Sequence, residues 1–140
     1  MVPVTPWISG EAPLFNPDPA HYLPHRYPFL LLDRIIELEL GVRAVARTGV
    51  TTTRGFPQIL MVEGVAQLAG IVVAQVEGVR GFMASIDHAE FSGPAVAGDL
   101  LTISARVIKS FGRLYMIEGK VDSGVNQLLS VQLTLGMGNL

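Results

Sequence analysis

The sequence predicts an α+β domain in which a curved antiparallel sheet wraps one long buried helix, and a few observations support that class. The stretch from Ile59 to Val79 is apolar except for residues spaced as on a helix: at about 100° per residue, Glu63, Gln67, Gly70, Ala74 and Glu77 share one narrow stripe. Leu60, Val65, Leu68, Ile71, Val72, Val73 and Val76 fill the rest of the circumference. The segments on either side of this stretch alternate with a period of two, the mark of half-buried strands. A helix that is apolar on most of its surface needs a sheet curled around it.

A helix of about 20 residues is about 30 Å long, enough to cross a bilayer. Glu63 and Glu77 would each be expensive in hydrocarbon, and no basic flank precedes the run, so a core helix rather than a membrane span is expected. Gly64 and Gly70 each cost about 1 kcal/mol against alanine inside a helix. Close approach of the sheet to the helix backbone is expected to offset both.

Seven of the nine prolines fall in the first 28 residues, so the chain opens as an extended, non-helical arm. Trp7, Ile8, Leu14, Phe15 and Tyr22 make this arm too apolar for a free tail, and it is expected to lie over the domain or a partner. Phe29 to Leu40 and Val42 to Thr48, joined at Gly41, read as a first strand pair. Thr51 to Pro57 leads into the helix, with Pro57 near its first turn. After it, Gly81 to Phe91 has Phe82, Ala84 and Ile86 on one side. Asp99 to Lys109 alternates cleanly, Gly112 turns the chain into Arg113 to Asp122, and Ser123-Gly124 turns it into Val125 to Met137. These short turns predict an antiparallel meander.

Composition narrows the function classes. At 140 residues the chain is one domain, and 49% of it is hydrophobic while only 16% is charged, against about 25% in an average domain. So little charge predicts apolar surface covered by a second copy, hence a homo-oligomer. A net charge of -2 lacks the basic excess that nucleic acid requires. The absence of cysteine excludes disulfides, thiolate metal sites and a cysteine nucleophile. The N-terminal MVPVTPWISG has neither the basic region nor the apolar core of a signal peptide, and a cytoplasmic location is expected.

Two places hold reactive groups in unusual company. His25 is fixed between Pro24 and Pro28 at the mouth of an apolar run, and histidine suits proton transfer near neutral pH. Glu63 lies in the first turns of the buried helix, where apolar surroundings favour a protonated carboxyl able to act as an acid. Together they suit an acid/base pair. Plainer readings stand beside these: a helix-dipole role for Glu63, a loop role for His25, a surface role for His88, and a hydrogen-bonding or interface face made by Gln67 and Glu77. His21 and His25 are four apart, but Pro24 spoils the helix on which they would chelate, so no metal is expected. No Gly-x-Ser-x-Gly elbow or phosphate loop is present.

The segment Leu23-Pro24-His25-Arg26-Tyr27-Pro28-Phe29-Leu30-Leu31-Leu32-Asp33-Arg34 closely resembles the signature of the beta-hydroxyacyl-(acyl carrier protein) dehydratases, of the FabZ and FabA type. The likeness continues in Phe56-Pro57, in Val62-Glu63-Gly64-Val65-Ala66-Gln67, and in Ile86-Asp87 through Phe91, Pro94, Gly98 and Asp99. It runs from Leu23 to the C-terminus, dividing the chain into an arm over residues 1–22 and a hot-dog domain over residues 23–140.

The resemblance implies a hot-dog fold and a dimer joining two sheets, often as a trimer of dimers, with sites across each dimer interface. His25 matches the family's catalytic histidine and Glu63 its catalytic carboxylate, lent by the opposite subunit. The implied reaction removes water from a (3R)-3-hydroxyacyl thioester to give a trans-2-enoyl thioester, in fatty acid or related acyl-chain biosynthesis. No cofactor is implied. The acyl group would be held on acyl carrier protein or coenzyme A in an apolar tunnel beside the helix, with Phe56, Pro57 and Gln67 at the tunnel or the helix mouth. Two departures stand out: Gly55-Phe56-Pro57-Gln58 leads into the helix with about six residues fewer than relatives have, including a Pro-Gly whose N–H would face the thioester. Ser92-Gly93 replaces a basic pair. The same residues leave open a non-catalytic acyl-thioester-binding subunit or a hot-dog thioesterase.

Overall fold

The computed structural model describes residues 15–25, 29–51, 56–77 and 81–138, the side chains of 74–77 excepted. Trp7, Ile8 and Leu14 of the arm, Arg26, Tyr27 and Pro28, residues 52–55, and the side chains of Ala74, Val76 and Glu77 lie outside the described residues. The elements in chain order are a 3-10 turn (Pro19–His21), β1 (Arg34–Glu39), β2 (Arg43–Gly49), α1 (Gln58–Glu77), β3 (Gly81–Phe91), β4 (Leu100–Phe111), β5 (Leu114–Ser123) and β6 (Asn126–Met137).

The strands form one antiparallel sheet in the order β1-β2-β4-β5-β6-β3. Strands β4, β5 and β6 are the expected meander, turned at Gly112 (φ 60°) and Gly124 (φ 59°), where a left-handed backbone favours glycine. Strand β3 does not join that meander in sequence order. It lies beyond β6 as an outer strand.

Alternation sorts the sheet's residues between its faces. Ile35, Ala46, Leu101, Ile103, Ile117, Val121, Leu129, Val131 and Leu133 are buried against Met61, Val62, Val65, Leu68, Ile71 and Val72 of α1. Each fully buried side chain of this size contributes about 1.5–3 kcal/mol. The helix is thus apolar nearly all round because the sheet covers it nearly all round. At the other end, the turn after β1 docks on the helix through Gly41 N–H, which donates to Val72 O at 3.0 Å.

The two helix glycines differ from the sequence expectation. At Gly64 a β-carbon would lie 3.2 Å from Ile103 Cδ1, so the sheet does approach closely there. At Gly70 nothing among the described residues lies within 4 Å, so no described element offsets its helix cost. Gly70 lies on the stripe with Glu63, which is half-buried, and Gln67, which the Phe29 and Leu31 backbone covers.

Two further differences have physical causes. The expected strand from Phe29 begins only at Arg34, because backbone groups of Phe29 and Leu31 bond to side chains instead of to a neighbouring strand. In β3 the pairing with β6 slips between Met83 and Ser85 and again between Ile86 and His88. Phe82 pairs with Gly136 and covers it, whereas Ile86 pairs with buried Leu133, so the expected shared side of Phe82 and Ile86 is broken by a bulge.

The two sheet edges are treated differently. Ile35 N–H on β1 donates to Pro17 O of the arm at 2.8 Å, and Phe15, Tyr22 and Leu23 pack on the core. This edge is covered, and the arm there includes the short 3-10 turn at Pro19–His21. The outer edge of β3, 11 residues long, has no strand beside it among the described residues.

Candidate active site

The segment that bears His25 is shaped by local chemistry. Asp18 caps the 3-10 turn, its Oδ1 accepting from Ala20 N at 2.9 Å, and Pro19 supplies the preset φ of a first helical position. Pro19 O then accepts from Tyr22 N at 3.0 Å and from Leu23 N at 3.1 Å. Tyr22 donates its hydroxyl to Asn16 O at 2.9 Å, and burial raises its pKa above the ordinary tyrosine value, so it remains a donor. His25 follows at once and is half-buried, with Nδ1 shielded from solvent.

Beyond His25 the chain is gripped at Leu31. Its N–H donates to Gln67 Oε1 at 3.0 Å, and its carbonyl accepts from Thr48 Oγ1 at 2.7 Å. Gln67 Nε2 donates to Phe29 O at 2.8 Å, so one amide spans two residues of the segment. Asp33, also in this stretch, accepts from Gly49 N at 2.8 Å and fixes the start of β1 against the end of β2.

Glu63 is the sixth residue of α1 and is half-buried. No acidic residue lies in the helix's first turn, and the dipole's effect fades beyond it, so the dipole does not explain this position. The Glu63 side chain forms no hydrogen bond or ion pair with another described residue. It lies one turn, about 6 Å along the axis, on the N-terminal side of Gln67 on the same stripe. His25 lies four residues before Phe29, within about 14 Å of chain reach. The Gln67 side chain therefore ties the carboxylate's stripe to the histidine's segment.

The lead-in to the helix is equally well placed. Phe56 is half-buried against the core and its N–H donates to Ala95 O at 3.2 Å, whereas Pro57 is exposed and its carbonyl accepts from Leu60 N at 2.9 Å. The remaining motif residues hold backbone together. Asp99 Oδ2 accepts from Val96 N at 2.8 Å, and Gly98, at φ 96°, donates to Val50 O at 2.8 Å. His88 is exposed on β3, 3.2 Å from Glu90. Among the described residues, no group of three or more His, Asp or Glu side chains is placed to hold a metal ion, and no helix is long and apolar enough to cross a membrane.

Sequence reasoning missed Thr48. The signal was available: Ala44, Ala46 and Thr48 form one row of β2, and a polar residue ends an otherwise apolar, buried face.

One helix held against a wrapped six-stranded antiparallel sheet defines a hot-dog protein. Solved structures share it: the dehydratase heterocomplex ApeI:P from Xenorhabdus doucetiae has a TM-score of 0.74 at 18% identity, over 87% of this chain and 91% of that one. A Streptococcus mutans protein bound to acetyl CoA has a TM-score of 0.68 at 16% identity, over 84% of this chain and 97% of that one. No protein-family model matches the chain. Among curated proteins, the 3-hydroxyacyl-(acyl-carrier-protein) dehydratase FabZ of Ruminiclostridium cellulolyticum is 38% identical over 127 residues, 81% of this chain and 88% of that one. The protein of the same name from Caldanaerobacter subterraneus is 43% identical over 106 residues, 66% of this chain and 75% of that one. The chain belongs to the FabZ dehydratase family.

Proposed function

We propose that the protein dehydrates (3R)-3-hydroxyacyl thioesters carried on acyl carrier protein, with His25 and Glu63 as the reacting pair. His25 removes the proton alpha to the thioester carbonyl, Glu63 donates a proton to the departing 3-hydroxyl, and a trans-2-enoyl thioester and water result. Negative charge gathering on the thioester oxygen is met by N–H groups at the start of α1, before Leu60, whose own N–H is spent on Pro57 O. The observation that supports this reading most is a half-buried carboxylate that bonds no other described residue, on the same stripe of α1 as Gln67 and Gly70.

A second copy completes the site in this reading. The β3 edge lacks a neighbour among the described residues, and its Met83, Ile86 and Phe91 are 38%, 44% and 41% exposed although they pair with buried Leu135, Leu133 and Leu129. A matching edge from another copy extends the sheet and covers these side chains, giving a homodimer whose sites draw His25 and Glu63 from opposite protomers. Three such dimers form a hexamer, working in the cytoplasm.

The test is turnover of 3-hydroxybutyryl and longer 3-hydroxyacyl thioesters on carrier protein and on coenzyme A, followed by enoyl absorbance. Wild-type turnover lost in His25→Ala and in Glu63→Ala is expected. Wild-type rates no higher than those variants' at every chain length would reject the reading, and release of free thiol would mark a thioesterase.

A further inference from the structure

Gln67 and Thr48 are the buried polar side chains among the described residues, each 4% exposed, and both bond the backbone of one residue, Leu31. Buried polar groups are costly unless satisfied, so their convergence on the backbone of a single residue calls for a physical reason. An ordinary strand would satisfy Leu31 with a neighbouring strand's backbone. Here one bond comes from helix α1 and the other from strand β2, and the same glutamine also holds Phe29 O. The segment is thereby registered to the helix and the sheet at once.

We infer that Gln67 and Thr48 form a buried clamp on Leu31 that fixes the His25 segment to helix α1 and strand β2 of its own protomer, and so sets where His25 meets the Glu63 lent by the second copy. This rests on the acid/base reading of His25 and Glu63. Gln67 and Thr48 are positioning residues in this assignment. Gln67 Oε1 and Nε2 are both engaged with main chain, and Thr48 Oγ1 is spent on Leu31 O. In the proposed homodimer one helix turn then serves two sites: Gln67 anchors the histidine of one, and Glu63, four residues before it, is lent to the other. A displacement of about 1 Å at a reacting group costs on the order of 100-fold in rate.

The test compares Gln67→Leu, Gln67→Glu, Thr48→Val and Thr48→Ser by steady-state kinetics, melting temperature and the pH titration of the His25 ring signals in NMR spectra. Thr48→Ser keeps the hydroxyl and is expected to keep wild-type kcat and His25 signals. Gln67→Leu and Thr48→Val are expected to lower kcat on the order of 10- to 100-fold, with KM little changed and the His25 signals displaced. If Gln67→Leu fails to fold, the Thr48→Val and Thr48→Ser pair decides. Variants that melt earlier but keep wild-type kcat and an unmoved His25 titration would overturn the inference, since the bonds would then be structural alone. A wild-type protein without turnover would instead reject the dehydratase reading. The His25 signals, moved by Thr48→Val and restored by Thr48→Ser or not, would still decide the clamp.

Discussion

Val65 of α1 lies directly over Gly119 of β5: a β-carbon added at Gly119 would fall 2.2 Å from Val65 Cγ1 and 3.0 Å from Cγ2. The contact is side chain against bare backbone, and it sets how closely the helix seats on the middle of the sheet. Because Val65 is two residues from Glu63 and two from Gln67, this seating also fixes the depth of the stripe that bears them.

Gly119→Ala is expected to lower stability by about 1–3 kcal/mol through overpacking. Thermal melting checks it, and Val65→Ala added to Gly119→Ala is expected to recover part of the loss by vacating the contested space. A Gly119→Ala protein that melts with wild type would show that the helix shifts without strain.

Mixing two inactive proteins tests the shared site. Refolding His25→Ala and Glu63→Ala together is expected to restore about one quarter of wild-type turnover, because half the dimers then hold one intact site of two. No recovery in a mixture verified to contain hybrid dimers would place both groups of each site on one protomer.

The proposed dimer rests on the β3 edge. Ile86→Lys sets a charge among apolar side chains meant to be covered, and is expected to yield monomers in light scattering and to abolish turnover. A wild-type protein that is monomeric at micromolar concentration, or an Ile86→Lys protein that still dimerises, contradicts the open-edge argument.

Asp87 fastens this same strand. Its carboxylate accepts from Ser85 Oγ and, across to β6, from Thr134 Oγ1, both at 2.7 Å, and these bonds, Ser85's first, hold its pKa below the ordinary aspartate value. A folded-state pKa below the unfolded one means stabilisation that is complete above the unfolded value and lost as pH falls through the folded one. Urea midpoints of wild type and Asp87→Ala are therefore expected to differ near neutrality and to converge in acid. A gap that persists below pH 2 would mean the difference does not come from the ionised carboxylate.

Much of the fold was legible because its signals are local. The period of Leu101, Ile103, Ala105 and Val107, the turns at Gly112 and Gly124, and the helix stripe depend on residues a few positions apart. The bulges in β3 were not legible, since they arise from its pairing with β6 some 50 residues away, as in Ser85 with Thr134. At the site, His25 and Glu63 could be singled out from their neighbours. Gln67 could be noticed but not given a partner, and Thr48 read as one more strand residue.

The sequence by itself determined the helix, the meander strands, their apolar faces and the two titratable groups, because periodicity and residue type are written in the chain. Only the tertiary structure decided that β3 leaves the meander to lie beyond β6, that Gly64 meets the sheet while Gly70 faces open space, and that Gln67 and Thr48 meet at Leu31. Those outcomes depend on which distant segments come to share a boundary from which water is excluded. There a polar atom must find whatever partner packing brings within about 3 Å.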